Sequence, residues 1–261
     1  MVKMNIFSSE KVFDHHNKTI FVKDTPYQHS HIENFLPDDL IEKVSENFSF
    51  PEGLGPSSDA LFQKTKRGLD DYKQFPKSIQ NFIDHLNSET FVKILENKFK
   101  IPGLIPDPTL FGGGMHESRK GGYLKLHSDF IYIRKRKVKR MLNLLIYLNK
   151  NWNESWGGAI ELWDQKMENN FLKVFPHINN AVVFRTDTES NHGFPDPIKC
   201  PDNEGRKSIA VYYYIKENSF FKRTKYFYAR WKRRPGVDEP KFGDNRNIIE
   251  RFKNKFLFRF K

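Results

Sequence analysis

The stretch Tyr123-Leu124-Lys125-Leu126-His127-Ser128-Asp129-Phe130-Ile131-Tyr132-Ile133 decides the fold class. Its aromatic, β-branched and large aliphatic residues, entered through Gly121-Gly122, mark a β-strand. In a strand, residues two apart leave the same face and lie roughly 6–7 Å apart, at about 3.3 Å per residue. His127 and Asp129 therefore converge on one side while Ser128 points away. Alone, a His-x-Asp pair is a frequent coincidence of surface and turn residues, so its meaning depends on the rest of the chain.

Working outward, short apolar runs separated by turn residues place further strands near residues 104–111, 122–133, 140–148, 159–163, 181–186 and 208–215. Helical stripes precede them. Pro37-Asp38-Asp39 opens a segment with Leu40, Ile41, Val44 and Phe48 on one side. Ile79, Phe82, Ile83 and Leu86 share a second face; Phe91, Ile94, Leu95 and Phe99 share a third, after Ser88 as cap. Stripes of this kind are core by default, and they predict helices that buttress one sheet. Residues 50–67, with Ser, Pro and Gly in their first half, read as a loop near a site entrance, and residues 112–122 as a flexible loop ahead of the His127 strand. The expected fold is mainly β with flanking helices (α+β), built on two packed antiparallel sheets, with no internal repeat.

Two more positions join the His-x-Asp pair. His192 in Asn191-His192-Gly193 follows the apolar run Ala181-Val182-Val183-Phe184, and the Gly193 and Pro195 beyond it place this histidine at a rim rather than in a core. Arg206 heads the run Ser208-Ile209-Ala210-Val211-Tyr212-Tyr213-Tyr214-Ile215, where a guanidinium can form a two-bond contact with a carboxylate; an isolated arginine there is otherwise an ordinary surface residue. Two imidazoles and a carboxylate on one face of an iron ion leave the opposite face open.

These residues resemble the Fe(II)/2-oxoglutarate-dependent dioxygenases, in particular the prolyl-4-hydroxylase-like branch. The resemblance runs from Gly112 to Ile215. It includes Ile146-Tyr147-Leu148-Asn149-Lys150-Asn151-Trp152, then Gly157-Gly158 and Glu161-Leu162-Trp163, then Phe175-Pro176 with Asn179 and Val183-Phe184. The flanks Ile32 to Pro37, Ala229-Arg230 and Arg234-Pro235-Gly236 are similar to a bacterial-type subgroup. The resemblance implies a double-stranded β-helix (jelly-roll) core supported by N-terminal helices. It implies that His127, Asp129 and His192 bind Fe(II) and are the catalytic centre. By the same resemblance Arg206 would pair with the far carboxylate of the cosubstrate 2-oxoglutarate, and Ser208 and Tyr147 would add hydrogen bonds to it. The reaction implied is hydroxylation of an unactivated C–H bond by O2, with 2-oxoglutarate leaving as succinate and carbon dioxide and with ascorbate as a candidate accessory reductant. Halogenating relatives leave the Asp129 position free for chloride, so an aspartate there argues for hydroxylation. The connection from Pro195 to Gly205 is longer than the family's usual spacing between the distal histidine and the basic residue. A prolyl residue is the substrate implied first; a free amino acid, a saccharide or another small metabolite stands close behind, because a scaffold does not fix its substrate.

Composition agrees with one catalytic domain over residues 31–220, an N-terminal extension over 1–30 and a basic, aromatic-rich extension over 221–261. The single cysteine, Cys200, allows no intrachain disulfide, which fits a reducing compartment. Residues 1–7 lack the apolar core of a signal peptide, and the longest apolar run, 141–148, is interrupted by Asn143 and too short to span a bilayer, so the expected address is the cytoplasm. Net charge is +12, and residues 221–261 hold 14 basic against 4 acidic residues. A second basic run, Arg134-Lys135-Arg136-Lys137-Val138-Lys139-Arg140, follows the His127 strand. A solvated hairpin and tail compete evenly with attraction of an anionic substrate or surface. The interleaved tail aromatics fit packing on the domain, membrane contact or base stacking equally. Nucleic acid is disfavoured as the partner because it leaves the His/Asp/His set unexplained. A non-catalytic jelly-roll binding module and a zinc hydrolase are the remaining alternatives.

Overall fold

A computed structural model describes residues 5–56, 62–133, 135–219 and 229–237. Four helices, α1 (Glu10–Thr19), α2 (Asp38–Glu46), α3 (Lys77–Leu86) and α4 (Glu89–Phe99), accompany twelve strands. The strands are β1 (His29–Ile32), β2 (Gln63–Leu69), β3 (Ile105–Pro106), β4 (Gly114–Ser128), β5 (Tyr132–Ile133) and β6 (Val138–Tyr147), then β7 (Ile160–Trp163), β8 (Asn170–Val174), β9 (Ala181–Arg185), β10 (Asn191–Phe194), β11 (Arg206–Lys216) and β12 (Arg230–Trp231). All the strand pairings are antiparallel. The hydrogen-bonded order β1-β9-β6-β11-β4-β10-β7-β8 makes one continuous sheet that folds over at β4. The first part of β4, Gly114 to Ser118, pairs with β11, whereas its later residues Leu124 and His127 pair with β10. One long strand thus serves both layers of a double-stranded β-helix, and the helices back the layer containing β6, β11 and β9.

Alternation decides which side chains face the interior. On β6, Leu142, Leu144 and Ile146 join Ile79, Phe82, Phe91 and Leu95 of the helices, so the intervening Asn143, Leu145 and Tyr147 turn inward. On β11, Ile209, Val211 and Tyr213 lie in the helix-side core, leaving Arg206, Ser208, Ala210 and Tyr212 on the inner face. The helical layer also includes α1, which the sequence pattern did not mark, and Phe7, Val12 and Ile20 are fully or almost fully buried there.

Several expectations are corrected. Residues 112–122 are not a flexible loop; 114–122 belong to β4. Their glycines permit close packing, since a Cβ on Gly114 would lie 2.2 Å from the Leu69 carbonyl oxygen and one on Gly113 would lie 2.6 Å from that of Ala210. The second half of the expected 50–67 loop is β2, a polar edge strand paired to β4; residues 57–61 lie outside the described set. The strand expected over 122–133 breaks into β4 and β5, and only Ile105–Pro106 of 104–111 is extended and paired. The basic run at 134–140 spans the β5–β6 turn, with Arg134 outside the described residues. Most of the basic extension, 221–228 and 238–261, is likewise outside them.

Within the helical layer, His16 of α1 and His85 of α3 are fully buried with their Nε2 atoms 3.0 Å apart, among Phe35 and Phe91. Burial pushes His85 down to about 4, and burial together with the neighbouring His85 holds His16 well below its ordinary value. Both folded values lie below the unfolded value of 6.5. The unfolded chain therefore takes up protons first as the pH drops. The stability these neutral rings permit is full above that pH and is lost as pH falls toward 4, at up to about 1.4 kcal/mol per pH unit for each ring. Urea unfolding across pH 8 to 4 should show this decline, and His85→Leu should flatten it; an unchanged slope contradicts the account.

Candidate metal and 2-oxoglutarate site

His127 sits at the end of β4 and His192 in β10, directly opposite each other in the β4–β10 register. Their rings are 4.5 Å apart between centroids. Asp129 lies just past the end of β4 and reaches both, with Oδ1 3.4 Å from His127 Nε2 and Oδ2 3.5 Å from His192 Nε2. One ligand atom from each of the three residues falls within 4.8 Å of the others, a spacing that fits a single ion among them. His192 is not at a rim as its turn residues suggested. It is inside a strand and buried, because Gly193 lets β10 approach β4: a Cβ there would stand 2.7 Å from the Leu124 carbonyl oxygen.

Backbone contacts set the histidine tautomers. His127 Nδ1 donates to the Lys125 carbonyl at 2.8 Å and His192 Nδ1 donates to that of Ser190 at 2.9 Å. Each ring thereby keeps its Nε2 lone pair for the space between them, the arrangement that second-shell contacts impose on metal-binding imidazoles. Tyr27 fixes the backbone beside His192 by donating to the Asn191 carbonyl at 2.9 Å. Asp129 is held through Oδ2 by Asn143 Nδ2 at 2.6 Å and Arg140 Nη1 at 3.1 Å. Burial alone would raise the Asp129 pKa, but Arg140 and the two imidazoles hold it well below the usual carboxylate range. Burial pushes His192 down to about 4, with His127 adding to the effect, so it is neutral and able to ligate at neutral pH. The donor set of two imidazoles and one carboxylate suits ferrous iron.

Arg206 points into the same interior. It is 5 % exposed, donates from Nε to the Gly158 carbonyl at 2.7 Å and from Nη2 to the Tyr147 hydroxyl at 2.9 Å, and lies over the Tyr147 and Phe194 rings. Among the described residues no carboxylate lies within ion-pair distance of it, so this buried cation fits an incoming anion such as the far end of 2-oxoglutarate. Ser208 is buried directly across the β11–β6 register from Tyr147, on the same face. The long Pro195 to Gly205 connection is absorbed without displacing Arg206, because Ile198 and Cys200 pack with Trp152 and Phe194, and Ile198 exchanges backbone hydrogen bonds with Gly121 and Gly122.

The sequence did not single out Lys66, Asn143 or Arg140 in the site. Lys66 of β2 is opposite Ser118, which is opposite Arg206 on the other side of β4, so all three share the inner face. Burial pushes the Lys66 ammonium down to about 8 against the pull of Asp129. No pattern in a polar edge strand could have shown this. Arg140 belonged to the basic run read either as a solvated hairpin or as attracting an anionic substrate or surface, yet it is 1 % exposed, stacked on Phe130 and Tyr212 and paired to Asp129; Arg136 pairs with buried Asp107 at 2.5 Å.

The closeness of β4 and β10 can be tested. Gly193→Ala should cost about 1–3 kcal/mol of stability by forcing the strands apart. Gly55→Ala, where nothing lies within 4 Å of the added Cβ, should be neutral by the same denaturation measurement.

Residues 113–214, which carry every one of these interior groups except Lys66, match the model of the 2OG-Fe(II) oxygenase superfamily. No curated protein matches the chain. Among solved structures, a Pseudomonas putida prolyl-4-hydroxylase aligns at 16 % identity with a TM-score of 0.49, covering 79 % of this chain and 98 % of that one. The viral collagen prolyl hydroxylase of Paramecium Bursaria Chlorella virus-1, solved with 2-oxoglutarate, aligns at 18 % identity and 0.47, covering 72 % and 96 %. HygX from Streptomyces hygroscopicus, solved with nickel, 2-oxoglutarate and hygromycin B, aligns at 10 % identity and 0.48, covering 86 % and 97 %. Over residues 113–214 the chain is thus similar to the 2OG-Fe(II) oxygenase superfamily.

Proposed function

We propose that His127, Asp129 and His192 hold Fe(II), that Arg206 with Tyr147 and Ser208 anchors 2-oxoglutarate, and that the chain hydroxylates an unactivated C–H bond. The observation that carries this reading is the convergence of two imidazoles of fixed tautomer and a carboxylate beside a buried arginine that, among the described residues, has no carboxylate partner. When bound, iron would activate O2, the oxidant, and 2-oxoglutarate would supply two of its four electrons by decarboxylating to succinate; one oxygen atom would go to succinate and one to the substrate, with release of carbon dioxide. The chain's own part is positioning and exclusion of water. Asn143 and Arg140 engage Oδ2 of Asp129 and so orient the carboxylate, while the Lys125 and Ser190 carbonyls aim both imidazoles. Tyr147 and Phe194 wall the Arg206 guanidinium from solvent.

The substrate we propose is a peptidyl proline, on the resemblance of the segment Ile146 to Trp163 to the prolyl-4-hydroxylase-like branch. A second reading, a small or peptidyl substrate bearing an anionic group, is favoured by Lys66 on the inner face and by Lys232 and Arg233 on the segment beside His127. No helix among the described residues is long and apolar enough to cross a membrane, and with the lone buried Cys200 this supports a cytoplasmic setting.

Incubation with Fe(II), 2-oxoglutarate and a fractionated pool of peptides and metabolites should yield succinate and a product heavier by one oxygen atom. Asp129→Ala should abolish both. Arg206→Ala should weaken 2-oxoglutarate binding by about 2 kcal/mol or more, roughly thirtyfold, because it removes a buried charged partner. Mn(II) affinity should be unaffected by that change. Equal loss of metal and 2-oxoglutarate binding in Arg206→Ala would remove the residue from its assigned role, and full turnover in Asp129→Ala would remove the metal site.

A further inference from the structure

Residues 229–237 come from the basic extension, yet they return to the site. β12 adds to the free edge of β4 at the metal-site end, with Arg230 opposite Ser128 and Trp231 opposite His127. Lys232 continues the ladder by donating its N–H to the Leu126 carbonyl at 2.8 Å. Directly opposed residues of an antiparallel pair share a face, so the Trp231 indole lies against the His127 ring, 4.8 Å between centroids. The indole also stacks on Phe62, just ahead of β2, at 4.4 Å and 11°.

The flanking arginines reach the second histidine strand. Arg230 donates from Nε to Ser128 Oγ at 3.3 Å and from Nη2 to the Thr188 carbonyl, in the turn that leads into β10. Arg234 grips Asp196 just past the end of β10 with two bonds, of 2.8 and 2.6 Å. The segment is therefore fastened at three points: alongside His127, ahead of His192 and behind it. A bidentate guanidinium–carboxylate contact fixes orientation as well as distance. Nothing in the hydrogen bonding of β4 to β10 requires these attachments, since those strands already pair with each other.

We infer that residues 229–237 form a strap that positions His127 and His192, with Trp231, Arg230 and Arg234 as positioning residues for metal binding. The strap sets the spacing of the two imidazoles by tying both of their strands to one short segment, and it covers the outer face of the His127 ring. Loss of the strap should leave the core folded, because Trp231, Arg230 and Arg234 are only half-buried and lie outside the main apolar clusters. The inference rests on the metal-site reading above, and it predicts a change in metal affinity rather than in chemistry alone.

The test is titration of the full-length apo protein with Mn(II), following free Mn(II) by electron paramagnetic resonance, with thermal unfolding recorded for each variant. Wild type should bind one equivalent and Asp129→Ala should not. Trp231→Ala and the double variant Arg230→Ala/Arg234→Ala should each weaken Mn(II) binding by about 10–100-fold, the usual effect of losing groups that orient ligands. Trp231→Phe, which keeps a ring against His127, should recover most of the loss, and all variants should retain a cooperative unfolding transition. Wild-type affinity in both strap variants, with Asp129→Ala still defective, would overturn the strap while leaving the metal site in place. Undiminished binding by Asp129→Ala would overturn the metal site, and the strap's role with it.

Discussion

The close backbone contact between β4 and β10 is the constraint on which the site depends. His127 and His192 face each other across that pairing, and Gly193 permits it by presenting no Cβ to the Leu124 and Lys125 carbonyls. Because β4 is long enough to pair first with β11 and then with β10, the same strand brings Arg206 into line with the two imidazoles. Asp129 follows immediately after β4 ends, free of the ladder, and turns toward both rings under the hold of Asn143 and Arg140. The placement of the two imidazoles, the carboxylate and the guanidinium is thus a consequence of one strand crossing between two layers.

The burial of so much polarity inside the β-helix has a physical cost that the surroundings offset. Arg140, Asn143 and Asp129 form a connected set, and Arg140 is also sandwiched by aromatic rings. Removing one member of such a set leaves its partner buried and unpaired, which is why buried charged networks are sensitive to single substitutions. Arg206 is different: its hydrogen-bond partners among the described residues are neutral, a carbonyl and a hydroxyl. A basic chain of net charge +12 therefore does not present all its cations as a solvated surface; Arg136 and Arg140 are committed to interior carboxylates.

What the sequence disclosed, and what it hid, follow from the same packing. The apolar runs of β6, β9 and β11 and the stripes of α2, α3 and α4 were legible because each has a face in the helix-side core. The closeness of His127 and Asp129 was expected from the two-residue period of a strand, yet Asp129 lies just past β4 and reaches the rings by turning; the company of His192, Arg206, Tyr147 and Ser208 was implied by the family resemblance. β10 was hidden because it pairs on both edges, so its buried residues are Asn, His and Gly rather than an alternating pattern. β2 and β12 were hidden because short, polar edge strands are placed by backbone pairing and by individual side-chain contacts that leave no periodic pattern. Gly113, Gly114 and Gly122 looked like loop punctuation, whereas each sits where another backbone or side chain comes too close for a Cβ. Lys66 and Trp231 reach the interior only through those two edges, so periodicity carried no trace of them.

The most direct measurement is a crystal structure of the full-length protein with Mn(II) and 2-oxoglutarate, with the ion located by its anomalous scattering. The account predicts one strong peak bonded to His127 Nε2, His192 Nε2 and a carboxylate oxygen of Asp129, with the far carboxylate of 2-oxoglutarate on the Arg206 guanidinium. An ion bound elsewhere, or 2-oxoglutarate held away from Arg206, would contradict it.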